Sequence, residues 1–348
     1  MASRPPAPTA EAQPPVRNPQ LGNSPARDLQ ASAGNRQSLA AQASNQHPSG
    51  PKASGSQSTA ARPDVNLLVA SAVTAAGAQP AVSAKIRQRI NLYGQQLVGT
   101  GAYWQQGKGD ARRYRLEIKV QVADGLTSVE QVCTGAVLWV HEDLHDRSAL
   151  TSIDLPRVRE ALHRQSSARA TPAFALELPI GGLPNLLENL QAAFQFGNVE
   201  EKKLDQLSVY RLEGQWKPAA LAELLADQRD KLLAGQAADW KKVPEAIPQR
   251  VVLTLGQDDL FPYRIEYLRE QPGKQGAPAT MLPILVIELF EVQLAVPVDP
   301  QRFVYEPGNR AGEIDGTAAY LKKLGIEETP PPDARRPAPT PTGDAVRR

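Results

Sequence analysis

The chain has 348 residues, with 39 Lys and Arg against 37 Asp and Glu, for a net charge of +2. So even a balance lacks the concentrated basic charge that nucleic-acid binding requires, and no nucleic-acid partner is expected. A single cysteine, Cys133, excludes an intramolecular disulfide and a cysteine-based metal centre, and no apolar run reaches the ~18 residues of a membrane-spanning helix.

Residues 1–63 hold ten of the 31 prolines and no Phe, Trp or Tyr. Val16, Leu21, Leu29 and Leu39 supply the only branched apolar area there, too little to offset the entropy of ordering the segment. A disordered Pro/Ser/Gln-rich arm is therefore expected over 1–63, a folded domain over 64–325, and a disordered Pro-rich tail over 326–348. No signal peptide is recognisable at Met1, because Pro5, Pro6 and Pro8 follow at once. Leu67–Ala78 imitates the apolar core of one. Asp64 as a cap, with Val65, Leu68, Val69, Ala72, Val73 and Ala76 on one face, instead predicts an amphipathic helix ending near Gly77.

Ala84, Ile86, Ile90 and Leu92 then alternate with Lys85, Arg87, Arg89 and Asn91, which predicts a first strand. Gly94 allows a turn into a second, Gln95–Gln106, whose Leu97, Gly99, Gly101 and Tyr103 share a face. Glycines inside a strand mark curvature or close backbone approach. The third strand, Arg113–Val122, is the most regular. Tyr114, Leu116, Ile118, Val120 and Val122 fall on one face; Arg113, Arg115, Glu117, Lys119 and Gln121 fall on the other. This alternation describes an antiparallel strand with one face on an apolar interior and one in water. Asp124-Gly125 is a hairpin turn into Thr127–Cys133, Gly135 introduces Val137–Val140, and Ala149–Ile153 extends the meander.

Asp154 caps a short helix with Pro156 in its first turn and Leu155, Val158 and Leu162 as its stripe. Pro184 begins another, with Leu183, Leu186, Leu187, Leu190 and Phe194 apolar and Gly197 at its end. Strands are expected again over Gln195–Lys203 and Leu207–Trp216, then a helix from Pro218 to Ala234. Arg250–Leu255, Phe261–Leu268 and Met281–Leu294 complete the pattern. The last is apolar on both faces (Ile284, Val286, Phe290 and Leu285, Ile287, Leu289), so it belongs in a central position or under cover on both sides. About eleven strands cannot lie in a flat open sheet without curling. The fold class is mainly β with α: a strongly curved antiparallel sheet, or incomplete barrel, with helices on its concave face.

The order of these elements resembles the LolA-like family of lipoprotein carriers of the bacterial envelope. AKIRQRINLYGQQLVGTGAYW looks like that family's first hairpin, and Tyr114-Arg115 fall where it often carries an aromatic–Arg pair. GAVLWVHEDLHDRSALTSIDL is similar to its hairpin leading to the central helices. DDLFPYRIEYLR matches a later strand at Pro262 and Arg264, and FEVQLAVPVDPQRFVYEPG matches the ending at Pro297, Asp299, Pro300, Phe303 and Pro307. The likeness spans Ala81–Gly308; the long arm and an insert around Ala219–Pro248 depart from it.

The resemblance implies no catalytic residues and no cofactor. It implies a cavity between sheet and helices for the acyl chains of lipids or lipoproteins, a periplasmic or envelope location, and membrane-associated partner proteins. Tyr114, Leu116, Ile118, Val120, Tyr263, Ile265 and Phe290 are the candidate cavity residues, and a monomer is expected. A packed interaction scaffold, in which the same residues form a solid core, is the alternative. Sequence does not separate the two.

An enzymatic reading rests on His141-Glu142-x-x-His145, the pattern of zinc peptidases. That site needs a helix to bring both histidines to one face, whereas Val137–Val140 reads as strand, and Glu160 comes early for a third ligand. His163 reads as an exposed helix residue, and His47 lies in the arm. Asp258-Asp259, between two strands, reads as a turn. Cys133 reads as a small buried hydrophobe, and Arg112, Arg113, Arg115 and Lys119 as a solvated outer stripe.

Overall fold

The computed structural model describes residues 64–122, 125–144, 147–164, 178–271, 273, 278–306 and 312–326. The expected arm (1–63), the hairpin residue Asp124 and His145 lie outside them, as does the tail beyond Ile326. The first element is α1 (Val65–Ala78). The Asp64 carboxylate accepts from the N–H groups of Asn66 and Leu67 at 2.9 and 3.4 Å, satisfying two donors that a helix start leaves free. Val69, Ala72 and Ala76 form its buried stripe.

Six strands follow as successive antiparallel hairpins: β1 (Ala81–Leu92), β2 (Gln95–Gln106), β3 (Arg113–Val122), β4 (Gly125–Cys133), β5 (Val137–Leu144) and β6 (Arg147–Asp154). Two helices interrupt, α2 (Leu155–Arg164) and α3 (Gly182–Ala193). A second meander comprises β7 (Phe194–Leu204), β8 (Leu207–Trp216), β9 (Arg250–Gly256), β10 (Pro262–Gln271) and β11 (Thr280–Leu294). Its last strand pairs with β1, which joins the two meanders into one open, curved sheet.

The expected helix after Pro218 is two short helices, α4 (Pro218–Leu224) and α5 (Arg229–Leu233), separated by a 3-10 turn at Ala226–Gln228. The chain breaks at Leu225, whose φ of −110° and ψ of 71° are not helical, so an unbroken apolar stripe overstated the helix. Phe194, expected in a helix, opens β7 and packs against Trp216 of the neighbouring strand, the rings 4.5 Å apart and tilted by 37°.

Three features were not anticipated: a strap, a twelfth strand and a last helix. After β11 the chain crosses the outer face of the sheet. Arg302 lies over Trp104 at 4.7 Å, Phe303 lies under Arg113 at 5.4 Å, and Tyr305 stacks on Trp139 at 5.4 Å. It then forms β12 (Glu313–Asp315), the twelfth strand, parallel to β6, and α6 (Thr317–Lys323). Leu321 and, one residue past the expected domain end, Ile326 are buried in the common core. This strap corrects the reading of a solvated basic stripe. Arg113 lies over the Phe303 ring, and Arg115 pairs with Glu117 and Glu130 while donating to Arg302 O; Lys119 is exposed as expected. Arg112, just ahead of the strand, turns inward and is buried.

One core cluster holds the buried stripes of all six helices together with the inward residues of the strands. Each fully buried Leu or Phe in it contributes roughly 1.5–3 kcal/mol relative to exposure. Curvature is permitted at Gly101, where an added Cβ would fall 1.7 Å from Glu117 O. Only a residue without Cβ lets β2 and β3 approach so closely.

Candidate functional site: the inner face of the sheet

Directly paired residues of antiparallel strands share a face, so the register defines rows across the concave side. One row runs Gln105–Tyr114–Cys133–Leu138–Ile153 and the next Tyr103–Leu116–Gln131–Val140–Thr151. Toward the hairpin tips follow Gly101–Ile118–Val129–Glu142–Ala149 and Gly99–Val120–Thr127–Leu144. Burial falls along that direction. Tyr114, Leu116 and Ile118 are 0, 1 and 4% exposed, whereas Val120 is half-buried and Val122 is 41% exposed.

The closed end is held by polar side chains gripping the entry to α3. Gln131 Oε1 accepts from Leu178 N–H at 3.2 Å, and the Tyr114 hydroxyl donates to Pro179 O at 3.3 Å. Arg112 Nη1 donates to Gly181 O at 3.2 Å, and the Tyr103 hydroxyl accepts from Leu183 N–H at 3.2 Å while donating to Gln105 Oε1 at 2.6 Å. Burial holds the Tyr103 hydroxyl well above the ordinary tyrosine range and pushes the Cys133 thiol up, so both are neutral in ordinary buffers.

At the open end Leu97, Val120, Val122, Val129 and Leu144 face inward and are only partly covered. With Thr127 and Glu142 between them, they form a mostly apolar trough along the tips of β2 to β5. Of these only Val120 was among the expected cavity residues. Val122 ends the same strand as Val120, and Leu97, Val129 and Leu144 carry the period-two signal on neighbouring, less regular strands.

The remaining candidates separate. Ile265 is 0% exposed in the core under the helices. Tyr263 is half-buried, and its hydroxyl donates to Asp259 Oδ2 at 2.7 Å, while Asp259 Oδ1 accepts from Phe261 N–H at 2.9 Å and closes the turn. Phe290 lies on the outer face, opposite Lys85 and 5.3 Å below the Arg87 guanidinium. A register shift between Ser83 and Lys85 accompanies it; Leu285, Ile287 and Leu289 are the inward residues of that strand. Three of the cavities bounded by described residues measure about 350, 440 and 390 Å³, and none is lined by Tyr114, Leu116, Ile118 or Ile265.

The peptidase pattern lies on β5. Glu142 pairs with Val129 on the inner face, while His141 pairs with Glu130 on the outer face and meets Ser148 Oγ at 2.9 Å. Adjacent strand residues point to opposite sides, so the one-faced helical arrangement this chemistry requires does not form. Among the described residues no three His, Cys, Asp or Glu side chains are grouped as a metal site requires. No helix of the described residues is long and apolar enough to cross a membrane.

Among solved structures the fold is similar to several chains. A DUF1329 family protein from Desulfovibrio piger matches at 14% identity and a TM-score of 0.31, over 69% of this chain and 95% of that one. A putative outer membrane lipoprotein-sorting protein domain from Vibrio parahaemolyticus matches at 10% identity and 0.30, over 68% and 95%. LprF from Mycobacterium bovis matches at 10% identity and 0.35, over 68% and 96%. No family model matches the chain, and no curated protein matches it.

Proposed function

We propose that the domain is a non-enzymatic carrier that binds acyl chains of lipids or lipoproteins along the open end of its concave face, in the bacterial cell envelope. The observation that carries this reading is the loss of cover along β3. Ile118 is buried, yet Val120 and Val122, on the same face, are progressively exposed beside Leu97, Val129 and Leu144. A concave apolar surface left partly open fits a flexible hydrocarbon chain, which gains about 0.8 kcal/mol per buried methylene. The motif resemblance to LolA-like carriers points the same way, and adds an envelope location and membrane-associated partner proteins to the proposal.

The second reading, a packed scaffold, draws on the complete burial of Tyr114, Leu116 and Ile265. Native mass spectrometry of the purified full-length chain, with titration of a fluorescent fatty acid, separates the two. Co-purified acyl species and saturable probe binding are expected of the carrier. A ligand-free mass and no binding would leave the scaffold.

A further inference from the structure

At the other end of β3 from the trough, one charged group is buried with too few partners. Arg112 is 7% exposed. Its Nη1 donates to Gly181 O and its Nη2 to Gly77 O, each at 3.2 Å, while Nε is buried without a partner. A guanidinium carries five N–H donors, so much of its capacity is unused. Among the described residues it has no carboxylate within ion-pair distance. The acid beside it, Asp110, is held by Arg159, whose Nε lies 3.1 Å from Oδ1 and whose Nη2 donates to Asp110 O at 2.9 Å. A buried cation offset only by carbonyl dipoles is unusual, because its lost hydration is normally offset by an anion.

Arg112 lines a cavity of about 390 Å³ bounded by α2, α3 and α6. The amides of Asn185 and Asn189 supply further polar lining, and Val158, Leu162 and Leu324 supply apolar wall. Glu188 also lines it and is exposed to solvent. We propose that this cavity is a second binding site, for a small carboxylate-headed amphiphile. Its carboxylate meets Arg112 and the amides, and its short apolar tail lies against Val158, Leu162 and Leu324. A guanidinium fork matches a carboxylate in geometry. With Arg159 neutralised by Asp110, one unpaired positive charge suits a monoanion, and Glu188 disfavours a phosphate dianion. The site does not depend on the carrier reading.

The test is isothermal titration of the full-length protein with sodium octanoate, 1-octanol and inorganic phosphate, repeated on Arg112→Gln, Leu162→Trp and the trough variant Val120→Trp. In Val120→Trp, where the trough is blocked, octanoate is expected to bind one-to-one, at least ~10-fold tighter than octanol or phosphate. Added to Val120→Trp, Arg112→Gln and Leu162→Trp should each weaken it at least ~10-fold. Should Arg112→Gln fail to fold, Leu162→Trp on the half-exposed face of α2 decides. Octanoate binding lost only in Val120→Trp would place the ligand in the trough and overturn the proposal. Equal binding of octanol, stronger binding of phosphate, or no octanoate binding would overturn it as well.

Discussion

The Tyr103 hydroxyl accepts the backbone N–H of Leu183 at 3.2 Å, tying the inner face of β2 to the first turn of α3. The fit is tight: a Cβ on Gly182 would lie 2.5 Å from that hydroxyl, and the residue holds a φ of +71°. Tyr103→Phe would leave Gln105 Oε1 and Leu183 N–H buried without partners. A loss of about 1–3 kcal/mol is expected, read from the urea midpoint, with faster hydrogen exchange at the start of α3. Unchanged exchange there would show that the hydroxyl does not secure the helix.

Two tryptophan substitutions on one strand face should behave differently. Leu116→Trp forces volume into a fully packed row and is expected to cost about 1–3 kcal/mol. Val120→Trp, where the face opens, should leave the urea midpoint nearly unchanged and reduce fluorescent fatty-acid binding. If Val120→Trp destabilises the domain as much as Leu116→Trp, the open end is core and the trough does not exist.

The boundaries of β3 were legible because its alternation is unbroken from Arg113 to Val122 and a half-buried strand allows no other pattern. Phe290 was misjudged because β11 is apolar on both faces; which face turns inward depends on the register with β1, and that is a long-range property. Arg112 was misplaced because it precedes the strand, so strand alternation does not fix its direction. The strap from Val298 to Tyr305 was unreadable for a related reason. Its anchors, Trp104 and Trp139, looked like ordinary strand residues until the chain crossed over them. The trough was only half visible, since an exposed inward-facing valine and a buried one have the same sequence signature.

One side chain grips the insert after β8 at four carbonyls. Arg269 donates to Trp240 O, Val243 O, Pro244 O and Ile247 O at 2.6–2.8 Å, with its guanidinium 5.7 Å from the Trp240 ring centroid. Arg269→Met removes the donors and leaves the carbonyls to find water. A loss of about 2–3 kcal/mol and a shift in tryptophan emission are expected. Arg269→Lys should recover only part of this, because an ammonium lacks the planar fork. Full recovery by lysine would mean that charge alone holds the loop.

The last prediction concerns α6. Asp315 Oδ1 accepts the N–H of Thr317 at 2.9 Å, and Thr317 Oγ1 accepts the N–H of Asp154 at 3.0 Å, so one small network fastens α6 to the end of β6. Hydrogen bonds from the Thr317 side chain and backbone hold the Asp315 carboxyl below the usual range. A depressed folded value means that the ionised form stabilises the folded state. That contribution is fully present above the unfolded aspartate value of about 4, and is lost as pH falls through the folded value. Asp315→Asn should therefore lower the melting temperature at pH 7, and the gap from wild type should narrow as the pH falls below about 4. Melting curves across that range check it. A gap of constant size would show that the amide substitution acts through shape rather than charge.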